Sequence, residues 1–327
     1  MTSPRRALIT GITGQDGTLL ARRLLKEGMS VHGLVRAESE MEEWRPVGSA
    51  AAVLHFADIT DEVRLSAIFA EVRPDEVYNL AGISSVAFSW EYPVLTGAVT
   101  GVGATGVFQA AWRLQESSGR PVRVVQASSA EIFGIPDRAP QDEGTTIRPV
   151  SPYGAAKAYA HMMAGVYRAH GLHVATCIFY NHESPLRPET FVTRKITAAA
   201  ARIAVAGGEP LVLGNLDARR DWGWADDYVD AMVRAARHDV PDDYVVATGR
   251  THSVAEFAAA ALRRAGIDDW ERHVRVDPKF VRPVDVGEIV GDAAKAHRVL
   301  GWAPTVSFDE LVGRMVDHDL ALRGESS

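Results

Sequence analysis

A short apolar segment, a glycine-rich turn and an amphipathic helix follow one another at the start of the chain. Residues Arg6–Thr10 predict a buried strand, the turn reads GITGQDG, a helix follows to residue 27, and Val31–Val35 predicts a second strand. This βαβ unit places glycines where backbone N–H groups and the helix dipole can bind a pyrophosphate. The predicted cofactor-binding residues of the turn are Gly11, Gly14, Gln15, Asp16 and Gly17.

The residue after the second strand distinguishes between dinucleotides. An acidic residue there binds the adenosine ribose 2′-hydroxyl, whereas an arginine pairs with a 2′-phosphate. The chain has Arg36 at this point and no acidic residue before Glu38, which favours NADP over NAD, although NAD remains possible. The alternative is that Arg36 is an ordinary solvated surface charge.

Further strands alternate with helices along the first half of the chain. Residues 52–58, 76–82 and 123–129 predict three more strands, and residues 93–115 predict a long helix. This alternation predicts an α/β Rossmann fold, a doubly wound parallel sheet with ligands beyond the carboxyl ends of the strands and a smaller C-terminal substrate domain. Asp58 either accepts from adenine or caps a helix. Strand ends also make Ile59, Leu80 and Ala81 predicted cofactor contacts.

Four side chains form the predicted catalytic set. Tyr153 and Lys157 are four residues apart, so a helix brings both to one face, where the ammonium would favour the phenolate and make Tyr153 a base. Ser129 and Glu131 follow the fifth strand at i and i+2, which point the same way on an extended segment. Each has an ordinary alternative when it is considered alone. Tyr153 and Lys157 would be a surface pair, Ser129 a capping serine and Glu131 a solvated carboxylate. Their combination favours catalysis.

Composition excludes several other classes of protein. The 327 residues are 46% hydrophobic and carry a formal net charge of -7, which argues against general binding to nucleic acid or anionic membranes. The single cysteine, Cys177, predicts a buried inert thiol in a cytoplasmic protein with no internal disulfide and no metal cluster. No apolar run approaches about 18 residues, so no membrane span is expected.

The chain resembles the extended short-chain dehydrogenase/reductase family, in its sugar-nucleotide branch. TGxxGxxG from Thr10 to Gly17, Ser129 at a strand end and the later YxxxK carry this resemblance. Longer segments are similar to the GDP-mannose 4,6-dehydratase family nearly end to end. They are Gly11–Gly17, Asn181–Pro185, Thr190–Thr197, Leu213–Trp222, Ala247–Ser253, Phe280–Pro283 and Leu300–Trp302.

The resemblance implies an activity and a substrate site. The expected reaction converts GDP-mannose to GDP-4-keto-6-deoxymannose with loss of water, through transient oxidation at C4 by bound NADP. The implied substrate-binding residues are Ser85, Asn181, Val192, Lys195, Arg220 and Arg282. The chain departs from the family at Ile83 and Ser85, where the family has Gln and His, and in the short acidic stretch of residues 37–43.

The resemblance also implies an organisation. Residues 1–180, with a return segment near 226–248, are expected to form the NADP-binding Rossmann domain, and residues 181–327 the nucleotide-sugar-binding domain. Helices 93–115 and 153–170 are the expected contacts of a homodimer or homotetramer. Two other functions stay open: a related nucleotide-sugar oxidoreductase, favoured by Ile83 and Ser85, and a catalytically inactive nucleotide-binding scaffold, for which the catalytic set would be unnecessary.

Overall fold

A seven-stranded parallel sheet forms the centre of the protein in this computed structural model, which describes residues 4–36, 52–280 and 287–324. Its strand order is β11-β6-β5-β4-β1-β2-β3, and every neighbouring pair is parallel. The strands are Arg6–Thr10 (β1), Ser30–Val35 (β2), Val53–Phe56 (β3), Glu76–Asn79 (β4), Arg123–Ser129 (β5), His173–Phe179 (β6), Asn181–Glu183 (β7), Leu211–Leu213 (β8), Arg219–Arg220 (β9), Trp222–Trp224 (β10), Asp243–Val246 (β11), His252–Ser253 (β12), Val274–Val276 (β13) and Glu288–Ile289 (β14).

Helices cover both faces of this sheet and continue into the smaller part of the chain. They are Gln15–Lys26 (α1), Glu62–Val72 (α2), Val86–Glu91 (α3), Pro93–Thr96 (α4), Gly103–Ser118 (α5), Pro152–Ala169 (α6), Val192–Ala206 (α7), Ala225–Arg237 (α8), Val254–Arg264 (α9), Ala294–Leu300 (α10) and Phe308–Gly324 (α11). A π-helical segment, Gly97–Val102, joins α4 to α5, and 3-10 turns span Ala130–Ile132, Trp270–His273 and Pro278–Phe280.

Successive residues of the central strands supply opposite faces of the sheet. Ile9 and Val125 belong to one core cluster, whereas their neighbours Leu8 and Val124 belong to the other. A strand buried on both sides needs apolar residues at most positions, which is the composition of β1 and β6, whereas β5 also buries the polar side chains of Gln126 and Ser128. The predicted Rossmann fold with a doubly wound parallel sheet is therefore confirmed.

The glycine turn brings α1 close against β1. A β-carbon on Gly17 would lie 2.3 Å from the Gly11 carbonyl oxygen, and Gly11 has a φ of +68°, which favours glycine. Gly14 differs, because its β-carbon would meet only the Gly11 oxygen, at 3.4 Å. Packing therefore requires glycine at position 17, and backbone conformation requires it at position 11. The side of the turn at Gly14 stays open for a close ligand.

The part of the chain after β6 packs around its own apolar core. Helices α7, α9 and α11 contact one another and enclose Trp222, Phe257, Leu311 and Met315. Segment 226–248 returns to the large sheet, where it supplies most of α8 and the edge strand β11.

Several element boundaries differ from the sequence prediction. Strand β3 ends at Phe56 and β4 ends at Asn79, so Asp58 and Leu80 lie in the irregular segments that follow these strands. The predicted helix 93–115 extends to Ser118 and contains the π-helical segment. Within the described residues, Pro93–Ser118 is long and apolar enough to cross a membrane by length and composition, but 56% of its most apolar window is buried inside the protein. That share is typical of a helix that packs on a globular core.

Candidate functional site

A cavity of about 440 Å³ opens where the carboxyl ends of β5 and β6 meet the smaller part of the chain. Predicted catalytic, cofactor-binding and substrate-binding residues line it together. They are Asp16, Leu80, Ser85, Ser129, Glu131, Tyr153, Lys157, Asn181, Val192, Lys195 and Arg220. In open parallel sheets this edge is the usual position of a ligand.

Tyr153 and Lys157 lie on one face of α6, as their spacing predicts. Ser151 caps this helix by accepting a hydrogen bond from the Gly154 N–H, and Pro152 occupies its first turn. The Lys157 Nζ atom lies 5.9 Å from the centre of the Tyr153 ring. Both side chains are buried, Tyr153 at 9% exposure and Lys157 at 6%. The cavity therefore contains a phenol and an ammonium group largely shielded from bulk water.

The Lys157 ammonium group is held by a buried polar network that crosses three strands. Lys157 Nζ donates to the Ala127 carbonyl oxygen at 2.8 Å, and Gln126 Nε2 donates to the same oxygen at 2.9 Å. Gln126 Oε1 accepts from Asn79, whose own oxygen accepts from the Thr10 hydroxyl. Because each of these buried groups has a partner, the network fixes the Ala127 oxygen and the lysine that it binds.

Burial determines the acidity of the catalytic pair. It raises the pKa of Tyr153 to about 12, partly opposed by a hydrogen bond with Ser129, and it lowers the pKa of Lys157 to about 8, partly opposed by Asp16. The sequence prediction that Lys157 makes Tyr153 a base near neutral pH stays a prediction. Desolvation of the phenolate acts against it and outweighs the lowering effects of Ser129 and Arg187 on this pKa.

Ser129 and Glu131 reach the cavity by a different route from the one predicted. Ser129 ends β5, but Glu131 lies in the 3-10 turn, so the pair does not share an extended segment. The Ser129 hydroxyl accepts from the Glu131 N–H at 3.3 Å, so the capping role weighed above is also present. Gly154 allows α6 to approach this turn, since its β-carbon would lie 2.5 Å from the Glu131 carbonyl oxygen.

Glu131 is the carboxylate that remains available for a ligand. Among the described residues, Asp16, Glu131 and Glu183 line the cavity as acids. Asp16 binds His182 at 2.9 Å, and Glu183 accepts from the Thr193 hydroxyl at 2.8 Å. The Glu131 carboxylate makes no hydrogen bond within the described part of the chain. Glu131 and Tyr153 both line the cavity, and the charge of Glu131 raises the pKa of Tyr153.

The other predicted cofactor-binding residues lie along the same sheet edge. Arg36 is exposed after β2, and it acts on the Asp58 carboxylate electrostatically. Asp58 Oδ1 accepts from the Thr60 N–H and hydroxyl, whereas Asp61 caps α2. Ile59 is buried in the core, and the Ala81 N–H donates to Thr10. The Gln15 side chain forms hydrogen bonds with Asp16, His182 and Ser184.

The predicted substrate-binding residues come from several segments of the smaller part. Asn181 lies on β7, Val192 and Lys195 lie on α7, and Arg220 lies on β9. Lys195 Nζ donates to the Val212 carbonyl oxygen at 2.7 Å, and Arg220 donates to the Arg219 carbonyl oxygen at 2.8 Å. Arg282 lies outside the described residues, as does the acidic stretch 37–43.

Several cavity residues were missed at the sequence level. Arg187 packs over the Phe191 ring at 3.8 Å and lowers the pKa of Tyr153, while His182 binds Asp16. The Ser128 hydroxyl and the Trp222 indole N–H are buried without a hydrogen-bond partner in the described protein. The polar sequence immediately after β6, from Asn181 to Arg187, was the signal that could have identified the first two residues.

Comparison with known proteins matches this sequence to a family. The family described as GDP-mannose 4,6 dehydratase matches residues 8–315. The chain is 46% identical to GDP-mannose 4,6 dehydratase 2 of Arabidopsis thaliana, over 98% of this chain and 89% of that protein. It is 43% identical to the GDP-mannose 4,6-dehydratase of Sinorhizobium fredii strain HH103, over 99% of both chains.

The chain belongs to the GDP-mannose 4,6-dehydratase family. A solved structure with the same fold is the UDP-glucose 4-epimerase of Thermus thermophilus in complex with NAD, which has a TM-score of 0.82 and 27% identity and covers 96% of this chain and 98% of its own. Enzymes of the dehydratase family use a nicotinamide cofactor, and the open side of the turn at Gly14 fits the pyrophosphate of such a group.

Replacing Lys157 by Met should separate stability from activity. A lysine pKa lowered from 10.5 to about 8 corresponds to about 3 kcal/mol of destabilisation at neutral pH, offset by about 1 kcal/mol for the hydrogen bond to Ala127. The unfolded wild type binds more protons than the folded wild type between these two values, so its stability rises with pH from about 8 to 10.5. We expect Lys157→Met to be more stable at neutral pH, with activity lost by at least about 100-fold.

Urea unfolding at neutral and alkaline pH would measure this difference. The exposed Lys26 gives the matched control, because Lys26→Met removes the same charge without changing a buried group. Two results would contradict the role assigned to burial. One is a Lys157→Met protein that is less stable than the wild type at neutral pH. The other is a difference in the free energy of unfolding between the two proteins that does not narrow as pH rises.

Proposed function

We propose that this protein converts GDP-mannose to GDP-4-keto-6-deoxymannose by oxidation at C4, loss of water across C5 and C6, and reduction at C6. The observation that carries the proposal is the Glu131 carboxylate, which makes no hydrogen bond in the described part of the chain and shares the cavity with Tyr153, Lys157 and Ser129. Oxidation of an alcohol needs the last three residues. Elimination of water needs a further base, and Glu131 supplies it.

The first step requires a proton to leave the C4 hydroxyl. Tyr153, in its phenolate form, accepts this proton, and the Ser129 hydroxyl, whose hydrogen bond lowers the pKa of Tyr153, binds the same sugar oxygen. Arg187 also lowers this pKa, and the Lys157 ammonium group, 5.9 Å from the ring centre, would further stabilise the phenolate. A bound nicotinamide cofactor supplies the hydride acceptor for C4, the hydride donor for C6 and, when oxidised, a further positive charge.

The ketone at C4 then acidifies the proton at C5. Glu131 removes this proton and afterwards, as the protonated acid, donates it to the hydroxyl that leaves C6 as water. Glu131 is the only acid in the turn Ala130–Ile132. The other two acids that line the described cavity, Asp16 and Glu183, already form hydrogen bonds. One carboxylate therefore serves as base and then as acid. When hydride reaches C6, C5 regains a proton, and Tyr153, which holds the proton taken from the C4 hydroxyl, is its source, so that protons and hydride balance against the loss of one water.

We propose NADP as the cofactor. Arg36 follows β2 at the position that discriminates between dinucleotides, and its exposed guanidinium group is suited to a 2′-phosphate. NAD remains the alternative. The sheet of residues 1–180 with segment 226–248 would bind the dinucleotide, and the remaining part of 181–327 would bind the GDP-sugar, whose diphosphate needs cations such as Lys195, Arg220 and Arg282.

A second candidate is a related oxidoreductase that acts on a 4-ketosugar or on another nucleotide sugar. Ser85 favours it, because this residue lines the cavity where the family has histidine. Ser85 also caps α3 by accepting from the Phe88 N–H at 3.2 Å, so its hydroxyl has a structural role. A reductase needs Tyr153 and Lys157 but no base above C5, and substitution of Glu131 distinguishes the two candidates.

Glu131→Gln should stop the reaction after the first oxidation. The amide keeps the shape of the side chain but cannot take the C5 proton, so the 4-keto-6-deoxy product should fall by about 100-fold or more while hydride transfer from C4 persists. Absorbance of the reduced nicotinamide after mixing with GDP-mannose measures the first step, and mass spectrometry and NMR of the sugar measure the second.

The exposed Glu91 provides the control, since Glu91→Gln changes the same group outside the cavity. Unchanged product formation by Glu131→Gln would rule out the proposed base. Loss of both hydride transfer and product would instead show that Glu131 acts before elimination.

We also propose that the protein is a homodimer through α6 and the helical segment 93–118. Large apolar side chains on these elements are exposed, including Val102 at 54%, Tyr159 at 39%, Met162 at 54% and Val166 at 54%. The two elements pack against each other, because Gly101 lies where a β-carbon would be 3.2 Å from the Tyr159 ring. Two helices from each copy would bury this apolar face.

Val166→Lys should weaken this dimer, because it places a charge at the centre of an apolar contact. The matched control is Val205→Lys on α7, since Val205 is exposed to a similar extent, 52%, but lies outside the proposed interface. Sedimentation should give twice 35.4 kDa for the wild type and the control, and 35.4 kDa for Val166→Lys. A monomeric wild type, or a dimer that tolerates the lysine, would exclude this surface.

A further inference from the structure

The glycine turn is tied to the segment after β6 by two side chains. Gln15 Nε2 donates to the His182 carbonyl oxygen at 3.2 Å, and Gln15 Oε1 accepts from the Ser184 hydroxyl at 2.9 Å. Asp16 Oδ2 lies 2.9 Å from His182 Nε2, and Asp16 Oδ1 accepts from Gln15 at 3.0 Å. The contacts of Gln15 and Asp16 with His182 and Ser184 join residues that are more than 160 positions apart in the chain.

The hydrogen-bond partners of His182 determine its protonation. Its Nδ1 atom lies 2.8 Å from the Tyr180 carbonyl oxygen, which can only accept a hydrogen bond. Its Nε2 atom faces the Asp16 carboxylate, which also only accepts when ionised. Both ring nitrogens must therefore carry a proton, so His182 is an imidazolium ion paired with a carboxylate.

The surroundings of the pair stabilise this charged form. The imidazolium ring stacks on Tyr228, with ring centres 4.5 Å apart and planes 19° apart, and the Phe179 ring edge lies 5.1 Å away. Burial opposes the charges, but Asp16 raises the pKa of His182 above its ordinary value, and His182 lowers that of Asp16. The other charged or titratable groups that act on the pair are Arg187, Lys157 and Tyr153.

The pair lies between the two binding regions of the cavity. Asp16 belongs to the first turn of α1, directly after the open turn at Gly14. His182 lies on β7 next to Asn181, which lines the cavity, and β7 pairs with β10, which follows the segment carrying Arg220. A change in the separation of Asp16 and His182 would therefore move the cofactor-binding turn relative to the residues proposed for the nucleotide sugar.

We propose that Asp16 and His182 form a charged clasp that positions the cofactor-binding turn against the nucleotide-sugar-binding segment, and that both act as positioning residues. The inference rests on the proposed function, because it assigns the two regions their ligands. Gln15 and Ser184 complete the clasp through hydrogen bonds to neighbouring backbone and side-chain atoms.

The sign of each pKa shift defines the pH range in which the clasp persists. The pKa of His182 is higher in the folded protein than its ordinary value of 6.5. Its protonation therefore contributes fully to folding stability below pH 6.5, and this contribution is lost as pH rises through the folded-state pKa. A lowered folded pKa makes Asp16 stabilising above its ordinary value of 3.8. The pair therefore stays charged from below 3.8, the ordinary value of Asp16, to above 6.5, the ordinary value of His182.

NMR of the holoenzyme with ¹⁵N-labelled histidine tests the protonation directly. At about pH 6.5, the ordinary imidazole pKa, most of His182 should show two protonated ring nitrogens, assigned by their disappearance in His182→Asn. Asp16→Asn should return His182 to the neutral form at the same pH. Asp239→Asn is the matched control, because that side chain is 98% exposed and the substitution removes the same charge.

Binding of GDP to the holoenzyme, measured by calorimetry, tests the positioning role. We expect each single variant to weaken binding by about tenfold, within the usual range for coupled sites. The double variant should be no weaker than either single variant, because the two residues act as one unit. Circular dichroism would verify that each variant is folded.

Two results would overturn the clasp: a neutral His182 in the wild type, or a double variant whose loss of affinity is the product of the two single losses. Neither measurement uses GDP-mannose or turnover. A protein that makes no 4-keto-6-deoxy product yet shows the charged pair and the non-additive loss would refute the proposed function while leaving the clasp intact.

Discussion

The buried ammonium group of Lys157 is the constraint on which the rest of the site depends. A cation at 6% exposure is costly, and its pKa falls to about 8 because water is excluded. The fold compensates with the Ala127 carbonyl oxygen, which the Gln126 side chain also binds, and with the nearby Asp16 carboxylate. Because the network from Thr10 through Asn79 to Gln126 spans β1, β4 and β5, the position of Lys157 is set by the centre of the sheet.

The same carboxyl edge combines two kinds of chemistry in one cavity. Tyr153 and Lys157 come from a helix that starts beside the sheet, whereas Glu131 comes from a tight turn directly after β5. Gly154 lets these two elements approach each other, since a β-carbon there would collide with the Glu131 carbonyl oxygen. The groups proposed for oxidation and for elimination are thus held by adjacent, closely packed backbone.

The sequence predicts the parallel sheet and much of the cavity because those features are local. A glycine turn after a strand, an i,i+4 pair on a helix and apolar strands on both faces each depend on a few neighbouring residues. Gly11, Gly17, Tyr153 and Lys157 therefore lie where their spacing indicates. The family resemblance, and not spacing, supplied Asn181, Val192, Lys195 and Arg220, which come from three separate elements.

The features that the sequence does not predict depend on distant partners or on burial. Gln15 and Asp16 are assigned to the cofactor by the turn motif, but their side chains bind residues after β6, and no local pattern indicates this contact. The effect of burial on the pKa of Tyr153 could not be predicted, because spacing shows the neighbouring charge and not the loss of solvent. The 3-10 turn at Glu131 likewise depends on packing against α6.

Transfer of an isotope within the substrate tests the central claim, that one cavity oxidises C4 and reduces C6 of the same sugar. The substrate would be GDP-mannose with deuterium at C4, and the product would be examined by NMR. The account predicts deuterium in the C6 methyl group of the 4-keto-6-deoxy product, because the hydride removed from C4 is returned to C6 before release. A product without deuterium, with the label in water or in free cofactor, would contradict it.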